Sequence, residues 1–153
     1  MAETDKNMFS QKISIRKCRD SDYRFIYDIS KRNMEFYVKK HWGGWNPKNF
    51  KEGFNKDNIK VIEYKGKRIA FYDTELKGKC LYLHNLQITF SLRRKGLGRF
   101  LTALIEKGAK KKGLNKVKLR VFKDNPAKNF YLKLGYKITG NKKGSLSMER
   151  KLA

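Results

Sequence analysis

The chain has 153 residues, one domain's worth, and a chain of this size buries roughly two-thirds of its unfolded surface. Lys and Arg total 38 against 14 Asp and Glu, a formal net charge of +24, while 39% hydrophobic and 13% aromatic residues exclude a disordered basic tail. Two isolated cysteines and two histidines exclude a zinc knuckle or a disulfide framework, and no apolar run is long enough to cross a membrane.

Residues 1–10 are polar, lack a signal-peptide core and are expected to be a flexible N-terminal segment. Ile13 and Ile15 alternate with Ser14 and Arg16, which predicts a strand. Asp20 or Ser21 is then expected to cap a helix whose apolar residues, from Tyr23 to Val38, recur at three-to-four spacing. The Gly43-Gly44 pair and Pro47 break it, and a short helix follows near Lys48–Phe54. Ile59 to Tyr64 and Arg68 to Leu76 read as a hairpin about Lys65-Gly66-Lys67. The turn Lys77-Gly78-Lys79 leads to a long strand from Cys80 to Phe90. Gly96 to Lys112 reads as a helix, Val117 to Val121 as a strand, and Asn125 to Leu134 as a helix ended by Gly135. Two short strands, near Tyr136–Thr139 and Leu146–Arg150, close the chain. The order predicts an α+β domain over residues 1–153, with a mixed antiparallel and parallel central sheet and about four helices.

Between the longest strand and a helix lie Arg93, Arg94, Lys95, Gly96, Leu97, Gly98 and Arg99. Glycines let backbone amides approach an anion, and the helix start adds the positive end of its dipole. No GK[ST] follows, so this is not a Walker loop; the third glycine of a dinucleotide fingerprint is also missing. The charge itself is spread along the chain, and 28 of the 38 cations are lysine rather than the arginine that base-reading surfaces favour. Nucleic acid stands as an alternative partner and is not the favoured one.

The pattern R-x-x-G-x-G after a strand, followed by Asn125-Pro126-Ala127 and then Phe130-Tyr131-Leu132-Lys133-Leu134-Gly135-Tyr136, resembles the GNAT superfamily of acetyl-CoA-dependent N-acyltransferases. The resemblance runs from Ile13 to about Met148. It implies a splayed mixed sheet holding acyl-CoA where two parallel strands separate, and direct transfer to an amine in a ternary complex. It implies pantetheine contacts from the backbone of Leu86, Gln87 and Ile88, and pyrophosphate on the amides of Arg94 to Arg99, with Arg93 opening the motif. Asn125 would contact the cofactor and Tyr131 would supply the proton or hydrogen bond for the departing thiolate. Asn125 stands one residue nearer Tyr131 than in many members, and Asp124 occupies the full spacing. Arg120 stands where some members carry a glutamate base, which leaves a non-catalytic polyanion-binding or CoA-binding regulatory protein on the same fold as the alternative. His84, on one strand face with Tyr82, is the base expected here, with Asp73 and Glu75 as alternatives. Glu35, Trp42 and Trp45 fall in the acceptor-binding region. The expected acceptor is a peptide or protein N-terminus or a small amine, because a cationic surface repels polyamines. No metal is expected. The expected setting is cytoplasmic, as a monomer or homodimer.

Overall fold

The computed structural model describes residues 12–153; the segment 1–10 expected to be flexible lies outside the described residues. Seven strands form one sheet in the order β1-β2-β3-β4-β5-β7-β6. They are β1 (Ile13–Lys17), β2 (Ile59–Tyr64), β3 (Lys67–Lys77), β4 (Cys80–Ile88), β5 (Lys116–Phe122), β6 (Lys137–Lys142) and β7 (Ser145–Lys151). The helices are α1 (Tyr23–Trp42), α2 (Pro47–Gly53), α3 (Leu97–Lys111) and α4 (Ala127–Lys133). The fold is the mixed α+β architecture that the sequence predicts, in the same element order.

Helix α1 buries Ile26 and Ile29 on one face of the sheet, against Ile59, Val61 and Phe71, with Phe50 and Phe54 of the α2 region packed alongside. Helix α3 covers the opposite face: Leu97, Phe100 and Leu101 meet Ile62 and Ala70, and Ile105 and Ala109 meet Leu81, Leu83, Val117 and Leu119. Tyr131 of α4 joins that second layer. Period-two alternation in β4 sends Leu81 and Leu83 to the α3 side, so Tyr82 goes to the other. Gly43, at φ 94°, ends α1 in the left-handed conformation that glycine adopts without penalty. The Asn46 side chain then accepts the Lys48 and Asn49 amides and starts α2.

All neighbouring strands are antiparallel except β4 and β5. That parallel ladder pairs Cys80–Leu83 with Lys116–Leu119 and stops. Beyond it β4 continues to Ile88 and β5 to Phe122 without pairing, so the sheet opens between them. The opening begins at a bulge. In the β3–β4 ladder Asp73 pairs with Asn85 and Thr74 with Leu83, leaving His84 as the extra residue.

Several boundaries differ from the sequence reading. A 3-10 turn over Asp20–Asp22 precedes α1, and Asp22, not Asp20 or Ser21, supplies the carboxylate at its entrance by accepting the Arg19 amide at 2.8 Å. Strand β4 stops at Ile88 because Phe90–Leu92 coils into another 3-10 turn. Helix α4 starts at Ala127, since Pro126 has no amide to give and Asn125 serves as its side-chain cap.

Candidate active site

The Gly-rich loop sits at the end of β4, where the sheet has opened. Arg94 holds φ 61° and Gly96 φ 85°, two left-handed residues that turn the chain sharply into α3. The helix's first bond runs from the Phe100 amide to the Gly96 carbonyl at 3.0 Å. The amides of Leu97, Gly98 and Arg99 therefore precede the helical ladder and are free to bind an anion. Gly98 has an ordinary φ; its role is space. A Cβ there would stand 3.4 Å from Phe130 Cζ and 3.5 Å from Ile88 Cδ1, so glycine lets α3 approach α4 and β4 closely. Arg93, Arg94, Lys95 and Arg99 are all exposed around this turn.

Leu86, Gln87 and Ile88 pair with Tyr72, Phe71 and Ala70 of β3 on one side and have no β5 partner on the other. Their outward backbone groups have no strand to pair with, and the Ile88 carbonyl accepts from Asn33 Nδ2 at 3.4 Å. The Gln87 side chain is committed elsewhere: it accepts from Asn33 Nδ2 of α1 at 3.0 Å and donates to Asn85 Oδ1 at 2.7 Å. Asn33 and Asn85 were not singled out by sequence, since a polar helix residue and a polar strand residue carry no signal until the fold joins them.

On α4, Tyr131 is buried in the layer on the α3 side of the sheet, with Phe130 and Tyr136 packed edge-on at 5.0 and 5.3 Å between ring centres. Burial, and then the charge of Glu106, push its phenol well above the ordinary tyrosine value. Glu106 is itself engaged by the Tyr136 hydroxyl and by Arg150, each at 2.8 Å. Tyr131 is thus a protonated donor at neutral pH, and its hydroxyl has no hydrogen-bond partner among the described residues. The Asn125 side chain accepts the Ala127 amide at 2.9 Å, a helix-capping duty. Asp124 binds Lys40 Nζ at 2.6 Å and His41 Nε2 at 2.8 Å, which hold its carboxyl below the usual range and tie the end of α1 to the strand-to-α4 turn.

The α1 side of the bulge carries a cluster of titratable groups. His84 Nε2 lies 2.7 Å from Glu75 Oε1, and its ring stacks obliquely on Tyr82 at 4.7 Å, so Tyr82 and His84 do share a face. The His84 hydrogen bond holds the Glu75 carboxyl below its ordinary value. Asp73 stands beside them. Its Oδ1 is buried without a hydrogen-bond partner, and burial raises its carboxyl to about 6. Asp73, His84 and Asn85 line a cavity of about 180 Å³, closed by Ile26, Phe50, Phe54 and Phe71 among others.

The three acceptor-side residues expected from sequence do not gather there. The Trp45 indole donates to the Tyr27 hydroxyl at 3.1 Å and packs on Phe50, pinning the α1–α2 loop to α1. Trp42 packs edge-on against Phe122 at the end of β5. Glu35 pairs with Lys31 along an open groove on the outer side of α1. Arg120 is exposed and forms no ion pair among the described residues. Among the same residues, no three His, Cys, Asp or Glu side chains converge as a metal site, and no helix is long and apolar enough to cross a membrane.

Solved structures share this fold. The PaiA N-acetyltransferase from Thermoplasma acidophilum, in complex with coenzyme A, superposes with a TM-score of 0.73 at 19% identity, covering 91% of this chain and 98% of that one. The ribosomal-protein-S18-alanine N-acetyltransferase from Escherichia coli gives 0.71 at 21% identity, over 92% of this chain and 94% of that one. Ard1 from Thermoplasma volcanium gives 0.71 at 17% identity, over 93% and 99%. The sequence matches the family described as "Acetyltransferase (GNAT) family" over residues 19–136, which include the glycine loop, the β4–β5 opening and Tyr131. With most of its length inside that match, the chain belongs to the GNAT acetyltransferase family, an acyltransferase family.

Proposed function

We propose that this protein is an N-acetyltransferase that moves an acetyl group from acetyl-CoA to a primary amine by direct attack in a ternary complex. The observation that carries this reading is the opening between β4 and β5, with Leu86–Ile88 lacking any β5 partner along one edge and the Gly96 turn at its mouth. An extended pantetheine adds to the free edge of β4 as a further strand would, and the pyrophosphate meets the amides at the start of α3. The coenzyme A in the PaiA structure supports the same assignment here. The glycine loop, the free strand edge and the space beside Gly98 fit such a ligand.

Chemistry requires two proton movements. An ammonium first loses a proton, and His84, oriented by Glu75, accepts it and passes it to solvent. The neutral nitrogen attacks the thioester carbonyl; the N–C bond forms and the C–S bond breaks. The nitrogen's second proton ends on the departing sulfur, relayed through the Tyr131 hydroxyl. Tyr131 suits that relay because burial keeps it protonated. The acceptor is a small amine or a peptide or protein N-terminus, since a surface at +24 disfavours polycations.

Coenzyme A thiol release, followed with acetyl-CoA and a panel of amines, tests the reading. Release should depend on an amine, and small amines and N-terminal peptides should exceed spermidine. Tyr131→Phe should lower kcat by roughly 10²-fold with acetyl-CoA affinity unchanged by calorimetry. Amine-independent release at the same rate in both proteins overturns it.

A further inference from the structure

Among the described residues, nine acids engage a cation: Asp20, Asp22, Asp28, Glu35, Glu63, Glu75, Glu106, Asp124 and Glu149 each have a Lys, Arg or His within 4.0 Å. Glu52 and Asp57 do not, but both are exposed to water. Asp73 alone is turned inward without a cation, in a protein that carries 38 of them. Leaving a buried carboxylate oxygen unpaired is costly, so its bareness needs a reason.

Its position gives one. The cavity that Asp73 lines is otherwise walled by Phe50, Phe54, Phe71 and Ile26. Its β4 wall is His84 and Asn85, the first residues beyond the last parallel pair, Leu83 with Leu119. A group seated in the cavity therefore borders the place where the sheet opens.

Resting on the transfer reading above, we propose that Asp73 is the anchor for the acceptor's ammonium, and that the acceptor is a single small ammonium on an apolar carbon. The aromatic wall receives the apolar group. The cavity of about 180 Å³, below the roughly 300–1,000 Å³ of pockets for drug-sized ligands, seats one side chain, and the rest of a longer acceptor would lie outside it. A free aliphatic amine and the first residue of a peptide share this chemistry. The carboxyl at about 6 is ionised at neutral pH and becomes neutral below that value. The titratable groups that face it are His84 and Glu75; α1, α2 and β2 contribute only Ile26, Asn49, Phe50, Gly53, Phe54 and Ile59.

The test uses 3-methylbutylamine, its alcohol 3-methylbutan-1-ol, and a leucyl dipeptide amide, with wild type, Asp73→Asn and Asp73→Glu. Both kinetics and calorimetric binding to the protein loaded with coenzyme A are read. Asp73→Asn should raise the amine KM and Kd at least tenfold and leave the acetyl-CoA KM unchanged, and Asp73→Glu should recover part of the loss. Wild type should bind the amine far better than the alcohol, and Asp73→Asn should bind them alike. Below pH 6 the amine KM should climb in wild type and stay flat in Asp73→Asn. The lower KM of the amine or the dipeptide identifies the source. Turnover with an amine KM equal in wild type and Asp73→Asn overturns the anchor and leaves the transfer reading standing. Asp73-dependent amine binding without turnover does the reverse.

Discussion

Two acids flank the first turns of α1 and live by opposite rules. Asp22, just before the helix, has a side chain only 1% exposed. It takes two hydrogen bonds from Arg16, at 2.7 and 2.9 Å, one from the Arg19 amide and one from Arg68 at 3.3 Å. Those partners, Arg16 first, hold its carboxyl down to about 2. Asp73, in the cavity that Ile26 of the same helix lines, has a buried oxygen with no partner, and its carboxyl is pushed up to about 6. Where the fold uses a buried acid to join β1, β3 and α1, it surrounds it with donors. Where it leaves one bare, stability is given up at a place that borders the opening in the sheet, as binding sites do.

The largest effect should come from breaking the satisfied side. Asp22→Ala leaves Arg16 with Glu63 as its one acidic partner and removes the bond to the Arg19 amide, so it should destabilise the fold by about 3–5 kcal/mol, the range for breaking one partner out of a buried pair. For a chain of this size that lowers Tm by roughly 10 °C or more. The sign with pH is fixed by the lowered carboxyl. Its contribution is complete above the ordinary aspartate value and is lost as pH falls toward about 2. Urea midpoints of both proteins between pH 7 and pH 2 would show the gap closing only at the acid end.

The contrast between these acids is not legible in sequence. Asp22 and Asp73 both read as polar residues beside apolar ones. Their difference is made by long-range pairing: Arg68 and Arg16 arrive at Asp22 from separate strands, and none arrives at Asp73. What sequence does reveal is local. Alternation marks the strands, three-to-four spacing marks α1 and α3, and the glycines mark the turn into α3. The bulge at His84 breaks the alternation, so His84 and Asn85 in succession line one cavity, which period two does not anticipate. Trp45 reads from sequence as an acceptor-side residue; that its indole ties the α1–α2 loop to Tyr27 is a contact that sequence does not show. Asn125, likewise, reads as a cofactor contact or a cap, and the cap is what its side chain makes.

A smaller effect of opposite sign should follow at the bare acid. A folded-state carboxyl at about 6, above the ordinary 3.8, means that the folded protein holds its proton more tightly than the unfolded chain does. Wild type therefore loses stability as pH rises from 3.8 through 6, and above that the full cost stands. Asp73→Asn removes the charge and keeps the shape. At pH 8 it should gain on the order of 1 kcal/mol, a figure already reduced for the water that reaches this half-buried group. The gain should disappear near pH 3.5. A variant less stable than wild type at pH 8 would break the contrast with Asp22, because it would mean that Asp73 holds the fold together after all.

The smallest stability effect belongs to the third acid of the group, and it separates anchoring from proton transfer. Glu75 is 43% exposed and its bond to His84 is open to water, so Glu75→Gln should leave the urea midpoint almost unchanged. An amide still accepts a hydrogen bond from His84, but it no longer supplies a charge to stabilise the ring once it has taken a proton. The expected result is a kcat lower by roughly tenfold with the amine KM held, the mirror image of Asp73→Asn, which should act on the amine KM. If Glu75→Gln raised the amine KM and spared kcat, the two carboxylates would share the ammonium, and Asp73 would be one half of a paired anchor. If it left both constants untouched, proton removal would pass through water without His84, and the cavity's role would be confined to holding the amine beside the opening in the sheet.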